Sequence, residues 1–432
     1  MSRLRSAARR AAWIGRWLLL LVLVTWLAAR LWALREVRTA VPDFEAKHGS
    51  IDPVRWSHRP NEPGVRAGRL LRAAALVFAR TEPDASRWRR EVQEARDRGP
   101  DARVSEEALA TMASRNALAL ELVREASGEP ACLFYEALPS PFGEDLIDFP
   151  ALWEIGRIEQ QFALAALDRG DAAAAERHLT ATFALSDCLR SAPPQLAAMF
   201  GMAIERSNLH LLRSLVESGR IAPLSEAFVS RLELSLSFKG FWDSLAAEAA
   251  IFQPSPERRR SRGLPLPEVP THPWNPWNVA GFPEAATLRA ISRGIDMLSN
   301  PEPPRPEKIS SFAPWRFDDY YFSAFADDWW LRARRLEAHL AARELALLAT
   351  RLSLALNRGA AEDELARISR QHEAIGTALT DERIEVTREP TGHWVLSLPA
   401  TAARWSELDA GQPTKPGLPW TWRIPPPTSG AD

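Results

Sequence analysis

The chain has 432 residues, of which 46% are hydrophobic and 25% charged, a composition that excludes a largely disordered protein. Its net charge of −1 is unevenly distributed, because residues 1–40 contain eight Arg and one acid. Taking this +7 from the total leaves −8 for the rest of the chain. A body of that sign repels phosphate backbones, so the composition argues against a nucleic-acid-binding protein.

A membrane anchor is predicted near the N-terminus. Residues 17–29 form an uncharged run of thirteen, which is short for the roughly 20 residues that span a bilayer. If Arg16 and Arg30 extend to the interfaces, the apolar stretch lengthens to residues 11–34, with four Trp near its ends. A cleaved signal peptide would need two small residues that are two positions apart before the cut, and the candidate pairs at 27/29, 31/33 and 38/40 each have a large residue at the first position. We therefore predict a retained signal-anchor and a single transmembrane helix.

The orientation of this anchor follows from the flanking charges. Five Arg precede the run, against three Arg and one Glu shortly after it, which predicts a cytoplasmic basic tail at residues 1–10. The body is then expected on the periplasmic side of a bacterial inner membrane. That compartment permits disulfides, and Cys132 and Cys188 can form one bridge or remain two buried thiols.

The rest of the chain is predicted to be mainly helical. Residues 35–63 lack a helical period and are interpreted as a stalk, whereas residues 64–252 are rich in helix formers with regular breaks, which indicates an array of helical hairpins. Residues 253–317 are a proline-rich connector with one short helix.

The C-terminal part is predicted to contain one long helix and a small β-hairpin, within residues 318–410. The helix covers about 318–358 with a single buried seam, and the hairpin turns at residues 390–392, where the hydrophobic period changes from 3.6 to 2. Residues 411–432 contain seven Pro and are expected to form a flexible tail that Trp420 and Trp422 could pin to the body.

Two resemblances follow from this pattern. Residues 151–190 place Gly170-Asp171 between two amphipathic helices and a small residue, Ala175, at their crossing, and this segment resembles one tetratricopeptide hairpin. The whole arrangement is similar to a loose class of uncharacterised bacterial single-pass envelope proteins. That resemblance implies a helical ectodomain and no particular activity.

The densest polar and aromatic cluster starts the long helix. Rings can stack on sugars while carboxylates accept their hydroxyls, so this cluster is the candidate binding site, although the same residues also suit a helix start and a core. Asp318 and Asp328 would lie about 15 Å apart along a helix, too far for paired glycosidase chemistry. The candidates are Asp318, Asp319, Tyr320, Tyr321, Asp327, Asp328, Trp329 and Trp330.

The function expected from the sequence is a membrane-tethered interaction or scaffold protein that binds an envelope protein, peptide or glycan. No catalytic, nucleotide or cofactor motif occurs, and the eight His lack metal-ligand spacing. One alternative is a hydrolase of cell-wall glycan or peptide that uses Asp319, Asp327 or Asp328 as an acid. Another is a component of secretion or pilus assembly, with the hairpin accepting an added strand.

Overall fold

The structure, a computed structural model, describes residues 2–48, 62–78, 84–99, 102–129, 132–133, 147–192, 195–221, 224–233, 282–298, 317–372, 383–409 and 418–426. These residues form a mainly helical fold with one small antiparallel sheet. The elements are α1 (Ser2–His48), α2 (Val65–Val77), α3 (Asp84–Arg98), α4 (Glu106–Arg115), α5 (Ala117–Ser127), α6 (Phe149–Asp168), α7 (Ala172–Ser191), α8 (Gln195–Glu217), α9 (Glu226–Glu233), α10 (Phe282–Leu298), α11 (Phe317–Asn357), α12 (Glu362–His372), β1 (Glu385–Arg388), β2 (Trp394–Ser397), α13 (Pro399–Asp409) and β3 (Thr421–Ile424).

Helix α1 extends past the predicted anchor at both ends, so residues 35–48 of the predicted stalk are helical, and Pro42 lies inside the helix. Tertiary packing explains the difference, because Ala40 and Phe44 are buried and α1 packs against α10. His48 Nε2 also lies 2.9 Å from the Ser292 hydroxyl of α10. The remaining stalk residues, 49–61, lie outside the described residues.

The apolar stretch of α1 is exposed on the protein surface. Large hydrophobic side chains between Trp13 and Trp32 are exposed wherever they are described, whereas the described parts of the other helices expose only a few such residues. Across the parts of the chain that the structure describes, no helix meets the length and hydropathy required of a bilayer crossing. The anchor over residues 11–34 therefore stays a prediction.

The helix pair predicted at residues 151–190 is formed by α6 and α7. Gly170 connects them with a positive φ of 73°, which favours glycine, and the Asp171 carboxylate caps α7 by accepting the Ala174 N–H at 3.0 Å. Ala175 is fully buried where the two helices approach closely. Helix α8 then packs antiparallel against α7, which extends the array.

Two hydrophobic cores share helices α6, α7 and α8. The first joins them to α2, α3, α4 and α5, and the second joins them to α9, α11 and the sheet. The predicted single seam of α11 is wrong for its C-terminal half, because residues 333–356 are buried on nearly every side. This half of the helix lies in the centre of the second core, where most of its buried residues are Ala and Leu and the buried Arg343 is paired with acids.

Cys132 and Cys188 form a disulfide with a Cα–Cα distance of 5.4 Å. Cys188 is on α7, and Cys132 follows α5, so the bridge ties the N-terminal helices to the central hairpin across 56 residues of sequence. The sequence alone did not decide between this bridge and two buried free thiols. The bridge stabilises the fold chiefly by limiting the conformations of the unfolded chain.

The predicted hairpin is part of a three-stranded sheet in the order β1-β2-β3. Val386 pairs with Leu396, and Leu396 pairs with Trp422, whose indole is fully buried. Residues 418–426 of the predicted flexible tail are thus folded, because Trp420, Trp422 and Ile424 join the second core. Strand β3 also covers one of the two hairpin edges considered for strand addition.

The predicted connector contains helix α10, which is 17 residues long. Described residues Leu288, Ala290 and Ile291 are buried, and α10 packs against both α1 and α11. Residues 253–281 and 299–316 of the connector lie outside the described residues. The N-terminal helix is therefore connected through α10 to the central helix of the body.

Candidate functional site

A cleft of about 600 Å³ opens between α3, α6, α8 and α11. This volume lies within the range of about 300–1,000 Å³ that small-molecule sites occupy. The cationic side chains in its lining come from α6, α8 and α11 and are Arg157, Arg206, Arg332 and Arg335. His210 and His339 also line it. Among the described residues, the lining includes no Asp or Glu.

The charged residues of the described cleft lining differ from those of the body as a whole. The chain without its first 40 residues sums to −8, yet the cleft presents four guanidinium groups. Arg side chains bind carboxylates and phosphates through a planar array of donors, which Lys cannot reproduce. An enclosed site also weakens solvent screening, so an anion in this cleft would be attracted more strongly than at an open surface.

Aromatic rings hold two of these arginines in place. The Arg157 guanidinium carbon lies 3.6 Å from the centre of the Trp153 ring, and that of Arg206 lies 5.7 Å from the Trp405 ring. Stacking of this kind orients the guanidinium plane and contributes a favourable cation–π interaction. The cationic groups are thus partly preorganised, which reduces the entropy lost when a ligand is bound.

The remaining polar residues of the cleft connect its walls. Gln160 on α6 donates to the Asn208 side chain on α8 at 2.6 Å. The Gln161 side chain accepts the Val104 N–H at 3.0 Å and donates to the Ala102 carbonyl at 3.3 Å. These bonds fix α6 against α8 and against the segment before α4.

The cleft also has an extensive apolar lining, provided mainly by Trp153, Leu196, Met199, Phe200 and Met202. Leu196 and Met199 keep 47% and 38% of their surface exposed. Phe200 is stacked on Phe149, with 5.9 Å between ring centres. The site therefore combines positive charge with apolar surface that solvent still reaches.

A buried ion network lies behind the cleft. The Glu205 carboxylate accepts from Arg190 at 2.9 and 3.0 Å and from Arg343 at 3.0 Å. Arg343 also donates to Asp187 at 2.6 Å and to the Leu232 carbonyl at 3.0 Å. Two cations and two anions balance in charge, and the network joins α7, α8, α9 and α11.

His339 connects this network to the cleft. It lines the cleft, it is almost fully buried, and its Nδ1 lies 3.4 Å from Glu205 Oε2. Burial is the main cause that lowers the pKa of His339; Glu205 opposes it, and the charges of Arg206 and Arg190 add to it. Burial therefore favours the neutral form of the imidazole.

Glu205 stays ionised despite its burial. Desolvation is the largest influence and raises the pKa of its carboxyl, but Arg190, the contact with His339 and Arg343 together outweigh it. The net result is a pKa well below the ordinary range for Glu. Glu205 therefore keeps its negative charge behind the cleft, where it is paired with Arg190 and Arg343.

The structure places all eight sequence-predicted site residues on α11, within residues 318–330. The side chains at 318–329 lie outside the described ones. Trp330 is half-buried, with the Arg334 guanidinium 6.0 Å from its ring centre, and it is absent from the cleft lining. The part of the cleft lining that α11 supplies begins two residues further along the helix, at Arg332.

Sequence inspection missed this cleft because its arginines are spread over three helices that are far apart in the sequence. Arg157 and Arg206 are 49 positions apart and Arg332 is much further along the chain, so no local motif marks them. Comparison with protein-family models, with curated proteins and with solved structures finds no match to the chain. The geometry of the cleft is therefore the basis for a functional proposal.

Proposed function

We propose that this protein is a membrane-tethered, extracytoplasmic binding protein whose cleft holds an anionic ligand. One observation carries the proposal: four Arg line a cavity of about 600 Å³ whose described lining includes no carboxylate. A cavity lined by several guanidinium groups is suited to bind a carboxylate or phosphate, because each group offers planar N–H donors to the ligand's oxygens.

Binding is favoured over hydrolysis by the chemistry of the lining. Glycoside hydrolysis needs two carboxyl groups across the scissile bond, and the described lining supplies none. The buried Glu205 is held by Arg190 and Arg343 and keeps a depressed pKa, so it is a poor proton donor. The cleft is therefore better suited to hold an anion than to cleave it.

Three features support the location. The exposed apolar side chains of α1 would be covered by lipid, and the charge of +7 over residues 1–40 favours a cytoplasmic N-terminus. The disulfide between Cys132 and Cys188 suits an oxidising compartment. We accordingly propose that residues 11–34 anchor the chain in a bacterial inner membrane with its body in the periplasm.

The cleft is tested with inorganic phosphate as the probe, titrated into the full chain held in nanodiscs of phosphatidylcholine. Replacing Arg332 and Arg335 together by Gln is expected to weaken phosphate binding at least tenfold, which corresponds to about 1.4 kcal/mol. Arg177→Gln, an exposed arginine of α7 outside the cleft, is the matched control and should bind like the wild type. Equal phosphate affinity in all three proteins would refute the proposed site.

The tether is tested by fractionation. The chain should sediment with membranes and resist an alkaline carbonate wash, whereas Leu21→Arg with Val24→Arg should release it because charges are costly in the bilayer core. Leu76→Arg with Val77→Arg makes the same chemical change at exposed residues of α2 and should leave the chain in the membrane fraction. Recovery of the wild type without membranes would contradict the anchor.

A further inference from the structure

The exposed apolar stretch of α1 has the length of a bilayer core. Helix α1 runs without a break from Ser2 to His48, and the described side chains from Trp13 to Trp32 are exposed. These two tryptophans are 19 positions apart, which corresponds to about 29 Å of helix. The hydrocarbon core of a bilayer is about 30 Å thick, and Trp is enriched at both of its interfaces. In the proposed anchor, Trp13 and Trp32 therefore lie at the two surfaces of this core.

The body begins directly beyond this stretch. Ala40 is the first buried residue among those described on α1, and Phe44 is buried one turn later. Ala40 is eight positions past Trp32, so it lies about 12 Å further along the helix axis. Each headgroup layer of a bilayer is about 5–8 Å thick, and tilt of the helix only brings Ala40 closer to it. The protein that covers Ala40 therefore lies within about 7 Å of the headgroups.

The end of α1 is attached to the body by specific contacts. His48 Nε2 lies 2.9 Å from the Ser292 hydroxyl of α10, and Lys47 forms an ion pair of 3.3 Å with Asp296 of the same helix. Helix α10 in turn packs against α11, which runs through the second core. A movement of α1 is thus transmitted through α10 to the centre of the body.

Pro42 is the position of α1 where a hinge would be expected. Its ring removes the N–H that would donate to the Arg38 carbonyl, and this loss weakens an isolated helix. In this protein, Ala40 and Phe44 are buried on either side of Pro42, so packing on the body supports the helix through this turn. The segment between the lipid and the body is accordingly helical throughout.

We propose that α1 is a rigid link, which passes from the lipid into the body as one helix and holds the α10 side of the body at the phospholipid headgroups. This inference rests on the proposed membrane anchor and adds how the body is held. A flexible tether would let the body move above the membrane, whereas a continuous helix fixes its height and its orientation. The partner of this side of the body is the bilayer surface itself.

Arg35 and Arg38 lie at the depth of the headgroups. Both are exposed residues of α1 between Trp32 and Ala40, and their spacing of three places them on the same side of the helix. A guanidinium group offers planar N–H donors to phosphate oxygens. Contacts of these two arginines with lipid phosphates oppose movement of α1 along its axis and thereby keep the body at a constant height.

The rigidity of the link is tested by pulsed electron paramagnetic resonance, with the full chain in phosphatidylcholine nanodiscs. Val22→Cys and Asp296→Cys carry the two spin labels, since Cys132 and Cys188 are bridged. Asp296 contacts Lys47, which is 25 positions past Val22, so a rigid link predicts one narrow distance of about 40 Å. Loss of the exposed Asp296–Lys47 ion pair should disturb the link little.

Two insertions of seven residues between Arg38 and Thr39 are the matched variants. A helix-forming insertion of Ala, Glu and Lys should lengthen the distance by about 10 Å and keep it narrow, whereas a Gly/Ser insertion should broaden it. A wild-type distribution as broad as that of the Gly/Ser variant would overturn the rigid link. Failure of the wild type to enter nanodiscs would instead overturn the anchor on which the link depends.

The position at the headgroups is tested by energy transfer from a dye on Asp296→Cys to a dye on lipid headgroups, in phosphatidylglycerol nanodiscs. Transfer should be efficient in this protein and should fall when the helix-forming insertion raises the body. Equal transfer with and without that insertion would overturn the placement of the body at the headgroups.

The role of the two arginines is tested with the same measurement. Arg35→Glu combined with Arg38→Glu should lower the transfer, because carboxylates are repelled by lipid phosphates. Arg177→Glu, at an exposed arginine of α7, is the control and should leave the transfer unchanged. Unchanged transfer in the double variant would overturn the contact of Arg35 and Arg38 with the headgroups.

Discussion

Arg343 on α11 donates a hydrogen bond of 3.0 Å to Glu205 on α8, and neither side chain is exposed to solvent. The two residues are 138 positions apart in the sequence, so the ion pair links two distant helices. Because α11 carries Arg332 and Arg335 and α8 carries Arg206, this link fixes two walls of the cleft relative to each other. Buried charges that are fully paired favour one register between helices over its neighbours. The network thus contributes to the geometry of the site as well as to the core.

Removing the charge of Glu205 should destabilise the protein. Glu205→Gln leaves Arg190 and Arg343 with Asp187 as their remaining described anion, and an uncompensated buried charge costs about 3–5 kcal/mol. Urea denaturation monitored by circular dichroism measures the change in unfolding free energy. Glu106→Gln, at a side chain that is 90% exposed, should change it by less than about 0.5 kcal/mol. Equal effects of the two substitutions would show that the network contributes little.

Glu344 on α11 predicts a pH dependence of stability. Desolvation raises the pKa of its carboxyl to about 7. The folded state therefore holds the proton more tightly than the unfolded state, so this group lowers stability as pH rises from about 4.5 to 7. Above about pH 7 the carboxyl lowers the free energy of unfolding by its full amount, and below about pH 4.5 it does not change this free energy.

Glu344→Gln removes this penalty while keeping the shape of the side chain. We expect the variant to be more stable than the wild type by about 1–3 kcal/mol at pH 8, with the difference vanishing near pH 4. Urea unfolding at a series of pH values measures it. Glu364→Gln, at an exposed carboxylate in the first turn of α12, should show no comparable gain at pH 8. A constant difference across the whole range would contradict the assignment to ionisation.

The disulfide should account for a substantial part of the stability. Replacing both Cys132 and Cys188 by Ser opens a loop that spans 56 residues. In the loop-entropy model, this change lowers the free energy of unfolding by about 4 kcal/mol. The unfolding midpoint of the double variant should match that of the reduced wild type. Labelling of unfolded protein with a maleimide should modify no cysteine before reduction and two afterwards. Two labels without reductant would show free thiols and remove the support for an oxidising compartment.

Local sequence signals predicted the local structure well. Gly170 and Asp171 located the end of one helix and the cap of the next, and the change of period after residue 384 located the hairpin. Both signals depend on neighbours in sequence, which is why they are visible in a single chain. The long helix was predicted to within one residue at each end for the same reason.

Features that depend on distant residues were not predicted. The helical end of α1 is stabilised by packing on α10, strand β3 forms because Trp422 enters the second core, and the cleft gathers arginines from three helices. Each requires contacts between residues far apart in the sequence, whereas a sequence pattern relates residues within a few helical turns. The aromatic and acidic cluster at the start of α11 attracted attention because its members are consecutive, and its place in a binding site stays a prediction.

The closest approach of α7 and α8 gives a final prediction, at Gly201. A Cβ atom at this position would lie 2.7 Å from both the Arg190 nitrogen and the Ser186 carbonyl oxygen, which belong to the backbone and cannot rotate away. Gly201→Ala should therefore force the helices apart and destabilise the protein by about 1–3 kcal/mol, despite the better helix propensity of Ala. Arg190 would shift with its helix, so phosphate binding in the cleft should weaken as well.

Gly156→Ala on α6 is the matched control, because its Cβ would meet only the Ile204 side chain at 3.5 Å or more, an ordinary van der Waals distance. This substitution should be neutral or should stabilise the fold by up to about 1 kcal/mol, since Ala is the better helix former. Urea denaturation of both variants measures the contrast. If Gly201→Ala were as stable as Gly156→Ala, the two helices would not pack as closely at Gly201 as the structure shows.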